Sequence, residues 1–388
     1  MSDFTITSIE GIACSVPLAA PVMMGLGLAM KREAIVVKVT TEGGLVGWGE
    51  AHHGRAPRAV EALVNTTIRD LVIGQDAAET SAVWERVFRN QLATHGTGAA
   101  AACALSGLDT ALWDIRAQAA GWPLYRLLGG QKKDIPAYAG GVALGYKEPS
   151  ALVGDVLEVI SRGYTAVKLR IGQDVASDLA RVRAVREAVG PDFVLLTDAN
   201  AQYTLADVMA VTPAFEELRI GWLEEPFAPQ DRRLYSEAAR ATRIPLAAGE
   251  NHYTRYDFAQ LIDDGAVGIL QPDASKVGGV TEIMRVAALA SVAGLPICPH
   301  TAITGINMAA TVHLIASMPN AKYFEADIAK GNDLRDKLCS SPFEVDAAGN
   351  VTPLEAPGIG VEVDEDFLRG HPLTDGPAFV PLDSAVHA

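Results

Sequence analysis

Three carboxylates follow short apolar runs at equal intervals along the chain. Asp198, Glu224 and Glu250 are separated by 26 and 26 residues, about the length of a strand and the helix that follows it. If the three runs are parallel neighbours in a barrel, their carboxyl ends lie side by side. Three carboxylates at one point repel each other unless a cation lies between them, and ligands that are all oxygens favour Mg²⁺. The spacing therefore predicts a Mg²⁺ site.

The metal hypothesis rests on these three acids together. Taken alone, each acid is more simply explained as the cap of a helix that follows its strand. Glu225 also stands beside Glu224, but neighbouring side chains on a strand point in opposite directions. We therefore assign Glu224, and not Glu225, to the metal site.

A histidine and an aspartate end two later apolar runs. His300 follows Pro299, and Asp273 ends the run before it. A lone histidine is more often a core residue than a catalyst. A carboxylate on one ring nitrogen, however, fixes the tautomer and leaves the other nitrogen basic, as a general base requires. The pairing predicts a catalytic dyad of His300 and Asp273.

Other polar residues fall at the predicted strand ends. Lys168 and Arg170 alternate along one run, so both are expected to face the barrel mouth, where they bind substrate or form salt bridges with the metal-binding acids. Asn200 closes the same run as Asp198 and is a candidate for substrate binding, and Glu325 ends the eighth run. Lys276 is interpreted as a loop or surface lysine.

Eight short apolar runs alternate with helical stretches from Ile135 onward. The centres of these runs lie near Tyr138, Lys168, Thr197, Leu223, Ala248, Leu270, Cys298 and Phe324. This pattern predicts a closed (β/α) barrel, in which the catalytic face lies at the carboxyl ends of the strands. An open doubly wound sheet would be unusual with eight units, and the chain has no glycine-rich phosphate loop.

The first 125 residues have a different pattern, with strands before helices. We predict strands over 4–15 and 34–50, the latter a hairpin with a glycine turn, and helices over 57–73, 78–92 and 98–119. This segregation is typical of an α+β unit. The predicted domains are therefore 1–125, a barrel over 126–335, and a segment over 336–388 that returns to the first domain.

The apolar, glycine-rich segment 21–28 lies between the first predicted strands. We interpret it as an irregular loop, either a mobile lid over the site or a loop that packs on the core. His52 and His53 follow the hairpin. They are candidates for substrate selection, or ordinary loop residues.

Composition narrows the class of protein. The 388 residues carry a net charge of −15 and contain no long apolar stretch and no basic cluster, so neither a membrane nor a nucleic acid is expected as a partner. The first residues do not have the pattern of a signal peptide, which suggests a cytoplasmic location. The four cysteines are widely spaced and are expected to be free and buried.

Together these residues resemble the enolase superfamily, and specifically its mandelate racemase-like subgroup. The motifs that carry the resemblance are Lys-x-Arg at 168–170, Thr-Asp-Ala-Asn at 197–200, Leu-Glu-Glu-Pro at 223–226, Gly-Glu-Asn at 249–251, Gln-Pro-Asp with Gly-Gly over 271–279, Pro-His at 299–300 and Phe-Glu at 324–325. Motifs at 47–50, 108–114 and 358–363 extend the match over nearly the whole chain. Within the subgroup, the chain looks most similar to sugar-acid dehydratases and aldarolactone cycloisomerases.

The resemblance implies a fold and a partial reaction. It implies an α+β capping domain over a modified (β/α)₇β barrel, with Mg²⁺ held by Asp198, Glu224 and Glu250, and a homo-oligomer between a dimer and an octamer. It also implies that Glu325 hydrogen-bonds an enolate oxygen of a small carboxylate substrate. Removal of a proton next to a carboxylate concentrates negative charge on two oxygens, and a metal offsets that charge.

Arg170 departs from the subgroup, which has a second lysine at this position as a base. Arginine stays protonated and is a poor proton acceptor, so a racemase with a base on each face is disfavoured. His300 alone then removes the α-proton and protonates a departing hydroxyl, while Lys168 and Arg170 bind the substrate. The resulting hypothesis is dehydration of a sugar acid to a 2-keto-3-deoxy acid.

Three alternatives remain open from the sequence. The chain could be a cycloisomerase of a sugar-acid lactone, or a racemase or epimerase of a 2-hydroxy acid with Lys168 as the second base. It could also be a metal-binding barrel without catalytic activity.

Overall fold

The computed structural model describes residues 2–25, 27–53 and 55–381. Its strands, in chain order, are β1 (Ile6–Met24), β2 (Gly27–Thr41), β3 (Val46–Ala51), β4 (Ile135–Gly140), β5 (Ala166–Arg170), β6 (Val194–Asp198), β7 (Ile220–Glu224), β8 (Leu246–Ala248), β9 (Ile269–Leu270), β10 (Phe324–Asp327), β11 (Asn350–Val351) and β12 (Phe379–Val380).

Two groups of helices accompany these strands. The helices of the N-terminal part are α1 (Pro57–Leu63), α2 (Arg69–Val72), α3 (Thr80–Val87), α4 (Ala93–His95), α5 (Ala99–Ala120) and α6 (Leu124–Leu127), and π-helical turns at Val64–Ile68 and Phe88–Leu92 join α1 to α2 and α3 to α4. The later helices are α7 (Pro149–Ser161), α8 (Val175–Val189), α9 (Leu205–Glu217), α10 (Arg232–Ala241), α11 (Thr254–Asp263), α12 (Gly279–Val292), α13 (Gly305–Ser317), α14 (Asp333–Asp336) and α15 (Glu365–Gly370).

The strands from β4 onward form the predicted parallel barrel. Neighbouring strands pair in the order β10-β4-β5-β6-β7-β8-β9, and single bridges from Leu270 to Ile297 and from Ile297 to Ala321 continue the ring. Helices α7 to α13 follow the first seven strand positions, and only the four-residue α14 comes soon after β10. The fold is therefore the modified (β/α)₇β barrel expected from the sequence.

The seventh of the eight predicted runs is the weakest strand of the barrel. It is present only as the bridge at Ile297, although Ile297 N donates to Asn320 O at 3.0 Å and Cys298 N donates to Leu270 O at 2.9 Å. Pro296 and Pro299 flank these two residues. Proline has no N–H to donate to a ladder, so regular pairing cannot extend to either side.

The N-terminal strands form a separate antiparallel sheet, with β2 paired to β1, β3 and β12. The predicted irregular loop at 21–28 was wrong, because pairing continues to the tip, where Val22 faces Ala29 and Met24 faces Gly27. Glycine at position 27 permits its φ of +115°. Met24 of this tip is buried and lines the cavity at the barrel mouth. Leu26 lies outside the described residues.

The end of the chain contacts both sheets. β12 pairs with β2, and β11 pairs with β4 of the barrel. The segment after 335 thus reaches the antiparallel sheet only after a strand on the barrel. The domain limits at 125 and 335, and assembly into a homo-oligomer, stay predictions.

Buried apolar side chains of the described residues form three clusters: a large one that includes most of the barrel, a second between the antiparallel sheet and α5, and a small third one from the barrel strand positions, which includes Tyr138 and Trp222. All four cysteines are buried and free, as expected. None of the helices in the described part of the chain combines the length and the apolar character needed to cross a bilayer.

Helix α5 approaches β3 closely because glycines face it. A Cβ at Gly49 would lie 2.1 Å from the carbonyl oxygen of Gly107 and 3.0 Å from Ala111 N. No real contact of this kind is that short, so an added methyl group would push the helix from the sheet. The glycine spacing of β3 thereby fixes the distance between sheet and helix.

We predict that Gly49→Ala lowers the free energy of unfolding by about 1–3 kcal/mol, because overpacking displaces α5. Gly154→Ala is the matched control, since Gly154 lies in α7 with no atom within 4 Å of its added Cβ; it should stabilise by about 0.5–1 kcal/mol. Urea denaturation followed by circular dichroism measures both. Equal effects of the two substitutions would contradict the packing argument.

Candidate active site

The barrel places the three predicted metal-binding acids side by side. Asp198 and Glu224 are the last residues of β6 and β7 and are paired in register, and Glu250 lies two residues beyond the end of β8. Each acid offers an oxygen atom, and the three atoms lie within 4.8 Å of one another. Asp198 and Glu224 are buried, and Glu250 is partly buried. This geometry is suited to a single cation with oxygen ligands.

Lys168 lies beneath these acids and is fully buried. Its Nζ is 2.7 Å from Glu224, 2.9 Å from Glu325 and 3.4 Å from Asp198. Burial opposes the charged form, but the three carboxylates outweigh that effect and raise the pKa of Lys168 above its usual value. The ammonium group therefore stays charged and offsets part of the repulsion between the acids.

Arg170 is the second cation of β5. It forms an ion pair with Asp198, one of the three clustered acids. Its Nη1 donates to Asp198 and to Asn200 Oδ1, the latter at 2.8 Å, and its Nε donates to the carbonyl oxygen of Gly141 at 3.0 Å. Both Arg170 and Asn200 line the cavity described below. Lys168 and Arg170 thus face the same way, as the alternation along β5 predicts.

Glu224 is oriented by donors on neighbouring strands. Its Oε2 accepts from Gln271 Nε2 at 2.7 Å and from Trp222 Nε1 at 3.1 Å, and its Oε1 accepts from Lys168. Burial and nearby acids raise its pKa to about 8, against the opposing effect of Lys168. The adjacent Glu225 instead accepts two hydrogen bonds from Asn251.

His300 joins the metal-site acids to Asp273. Its Nδ1 lies 2.6 Å from Asp273 Oδ2, and its Nε2 lies 3.0 Å from Glu250 Oε2. Asp273 is held in turn through Oδ1, which accepts from the backbone N–H and hydroxyl of Ser275 at 2.7 Å each. Burial opposes protonation, but Glu250 and Asp273 raise the pKa of His300 to about 10.

Glu325, on β10, also contacts the ammonium group of Lys168. Its Oε2 accepts from the hydroxyl of Tyr138 at 3.0 Å. Its Oε1 contacts Lys168 at 2.9 Å and has no hydrogen-bond partner of suitable geometry in the described structure. The carboxyl group of Glu325 is completely buried. Its Oε1, which accepts no hydrogen bond, is the atom in contact with the Lys168 ammonium.

A cavity of about 410 Å³ opens above these residues. Arg170, Glu250 and His300 form part of its floor, while Met24 and Ala29 of the β1–β2 hairpin contribute to its walls. The hairpin therefore covers the barrel mouth, and it supplies the surface that the sequence interpretation assigned to an irregular lid.

His52 and His53 also line this cavity. Their rings stack with centroids 4.3 Å apart. Burial, aided by the charge of Lys276, lowers the pKa of His53 to about 3 and lowers that of His52 well below its usual value. Both rings are therefore neutral near pH 7.

The interpretation of Lys276 as a surface lysine was wrong. The residue is 4% exposed, lines the cavity, and places Nζ 3.4 Å from Glu250 Oε1. Its loop is held inward because Gly278 N donates to Ser106 Oγ at 2.8 Å. The Gly278-Gly279 pair, both with positive φ, is the only local signal of this tight turn.

Several cavity residues carried no sequence signal. They come from β2, the loop after β8 and the end of β10, and they are Lys31, Arg32, Glu33, Tyr253 and Asp327. The pattern of β2 indicates only a strand. The contact between this strand and the barrel depends on the arrangement of the two sheets.

Comparisons with known proteins cover almost all of the chain. The family model described as mandelate racemase / muconate lactonizing enzyme, N-terminal domain, matches residues 8–129, and the model described as enolase C-terminal domain-like matches residues 151–367. The antiparallel sheet and the barrel thus each match a family model.

Two curated relatives and one solved structure are similar over most of their length. Arabinonate dehydratase of Saccharolobus solfataricus is 32% identical over 85% of this chain and 88% of its own. D-galactarolactone cycloisomerase of Agrobacterium fabrum is 34% identical over 89% and 93%. A crystal structure of an enolase superfamily member from Polaromonas sp. JS666 is 50% identical, with a TM-score of 0.95 over 97% of this chain and 100% of that chain.

We predict that Lys168→Met, with a chelator present, lowers the free energy of unfolding by about 3–5 kcal/mol, because it leaves buried carboxylates without their shared cation. The control is Lys38→Met, which removes an ion pair with Glu365 whose side chains are 22% and 32% exposed. That change should cost no more than about 1 kcal/mol. Urea unfolding of both variants measures the difference, and a Lys168 effect as small as the control would contradict the charge argument.

Proposed function

The chain belongs to the mandelate racemase/muconate lactonizing enzyme family of the enolase superfamily, and on this basis we propose that it is a Mg²⁺-dependent dehydratase of sugar acids. The relatives named above are a dehydratase and a cycloisomerase, so the chain is an enzyme of the lyase or isomerase type. The observation that carries the proposal is the His300–Asp273 pair at 2.6 Å beside three clustered carboxylates, with His300 and Glu250 lining one cavity.

The residues present fit a divalent cation. Asp198, Glu224 and Glu250 offer only oxygen atoms, within 4.8 Å of one another, and such donors suit Mg²⁺. When bound there, Mg²⁺ would offset the charge that develops on the substrate carboxylate as the α-proton leaves. Lys168 adds a fixed positive charge under the same acids.

His300 is the proposed base. Asp273 holds Nδ1 and thereby directs Nε2 toward the cavity. In the structure Nε2 contacts Glu250, which favours the protonated ring. A Mg²⁺ ion held by Glu250 would weaken that attraction and lower the pKa of His300 toward the range of a general base.

Dehydration then needs no further acid. Nε2 of His300 takes the proton from the α-carbon, and the electron pair of that C–H bond forms the enol carbon–carbon double bond as the β-carbon–oxygen bond breaks. The imidazolium returns the proton to the departing hydroxyl, which leaves as water. The enol product tautomerises to a 2-keto-3-deoxy acid.

Lys168 and Arg170 argue against a racemase. The ammonium of Lys168 contacts three carboxylates, which raise its pKa, and the guanidinium of Arg170 contacts Asp198. Neither group is a proton acceptor under these conditions. Neither cation of β5 therefore supplies the second base, whereas racemisation needs a base on each face of the α-carbon.

A cycloisomerase is the second candidate, because the 34% identical relative from Agrobacterium fabrum has that name. Both reactions begin with α-proton removal and differ in the leaving group, which is a hydroxyl or a lactone oxygen. The test is incubation in D₂O, with Mg²⁺, of a panel of aldonates, aldarates and their lactones. A semicarbazide-reactive, deuterated keto-deoxy acid formed from an open-chain acid supports dehydration. Product from lactones alone supports cycloisomerisation, and exchange with inversion and without loss of water supports a racemase.

We predict that His300→Asn lowers the rate of α-proton exchange by at least about 10²–10⁴-fold, because the general base is lost. Binding of Mg²⁺, measured by calorimetry, should persist because no acid of the cluster is changed. His95→Asn is the control, since His95 is exposed and outside the cavity, and it should keep full activity. Turnover that survives His300→Asn would exclude this residue as the base.

We predict that Asp198→Asn weakens Mg²⁺ binding by more than about 100-fold, since loss of a direct ligand should exceed the 10–100-fold effect of an outer partner. Asp192→Asn is the control, because the Asp192 side chain is 93% exposed. Calorimetric titration with MgCl₂ compares the two. Equal affinity of both variants would place the ion elsewhere.

A further inference from the structure

Arg32 lines the cavity but has no role in the proposed reaction. It lies on β2 of the antiparallel sheet, and it lines the same cavity as Glu250 and His300. Its side chain is only 9% exposed. The residue therefore brings a buried positive charge from the N-terminal part of the chain to the barrel mouth.

The guanidinium of Arg32 lacks hydrogen-bond partners. No hydrogen bond among the described residues involves it, and its Nε and Nη2 are both buried without a partner of suitable geometry. Among the described residues its one ion pair is with Asp327, whose Oδ2 lies 3.1 Å from Nη2. The neighbouring Lys31, by contrast, is satisfied by the Thr374 carbonyl oxygen at 2.6 Å and by Glu33 at 2.8 Å.

Asp327 is not committed to Arg32 alone. Its Oδ2 also accepts from Asn332 Nδ2 at 2.8 Å, and its Oδ1 accepts from Ala329 N at 2.9 Å. The carboxylate is thus fixed by the loop after β10, and it leaves most of the Arg32 donors unused. Arginine presents five donors in a planar fork that matches a carboxylate.

The charges at this end of the cavity favour an anion. The charged side chains that line it are, from the N-terminal part, the cations Lys31, Arg32 and Arg55 and the anion Glu33, and, from β10, the anion Asp327, while the neutral rings of His52 and His53 add no charge. The net charge of these five side chains is therefore +1. A ligand group that binds among them should be negative.

The partner of Arg32 lies further along β10 than Glu325, which contacts the same Lys168 ammonium as Asp198 and Glu224. Asp327, that partner, follows Glu325 by two residues, which corresponds to about 6–7 Å of strand. A six-carbon acid has comparable length. We propose that Arg32 binds the distal carboxylate of a dicarboxylic sugar acid, so that the enzyme selects aldarates over aldonates; this assignment rests on the proposed function for the position of the first carboxylate.

Calorimetric binding tests this selection in the His300→Asn background with Mg²⁺ present, so that no ligand is consumed. Three matched pairs serve as probes: glucarate and gluconate, galactarate and galactonate, and mannarate and mannonate. We expect at least one aldarate to bind about 100-fold more tightly than its aldonate. Addition of Arg32→Met should remove about 100-fold of that affinity and change aldonate affinity less than threefold.

Matched variants separate recognition from folding. Arg58→Met is the control, because Arg58 is exposed and outside this cavity, and it should leave all affinities unchanged. Arg32→Lys keeps the charge but loses the planar fork, and it should retain an aldarate preference of about tenfold. This variant decides the question if Arg32→Met does not fold.

The inference is overturned if no pair favours the aldarate, if Arg32→Met weakens both members of a pair equally, or if 6-phosphogluconate binds more tightly than glucarate. Turnover of the same compounds by the unmodified enzyme in D₂O is measured separately. Absence of α-proton exchange would overturn the proposed function, while Arg32-dependent aldarate binding would still stand.

Discussion

Repulsion between carboxylates at the mouth of the barrel is the constraint on which the site depends. The parallel register that brings Asp198 next to Glu224 also brings their charges into a buried region, where water cannot screen them. Two basic residues offset this repulsion. Lys168 contacts three acids, and His300 contacts Glu250. Each acid of the cluster is thus paired with a basic group, and these pairs offset the repulsion between the carboxylates.

The two sheets divide the work between chemistry and selection. Every acid of the metal cluster and the proposed base come from the barrel, whereas Met24, Arg32 and His53 reach the same cavity from the N-terminal part. A change in the hairpin can therefore alter which substrate fits without moving the reacting groups. The close contact of α5 with β3 and the pinned loop at Gly278 hold these two sets of residues in one arrangement.

The features that could be predicted from the sequence follow from local periodicity and from one topological rule. The rule is that the carboxyl ends of the parallel strands of a barrel meet at one face. Eight apolar runs predict eight strand positions, and the convergence of parallel strand ends then places Asp198, Glu224 and Glu250 together. Lys276 could not be found this way, because its burial depends on Ser106, which lies 172 residues from Gly278 in sequence. The prediction of an irregular loop at the hairpin tip was wrong for a related reason. Glycine and apolar residues suggest a loop unless the barrel beneath them is known.

The identity of residue 170 connects the charge balance to the course of the reaction. Arg170 strengthens the hold on Asp198 and Asn200, but it gives up proton transfer on its face of the cavity. In the proposed dehydration, His300 both takes the α-proton and returns it to the leaving group. One imidazole can do this only if the α-hydrogen and the β-hydroxyl lie on the same face of the substrate. The proposed dehydration therefore requires elimination with syn geometry.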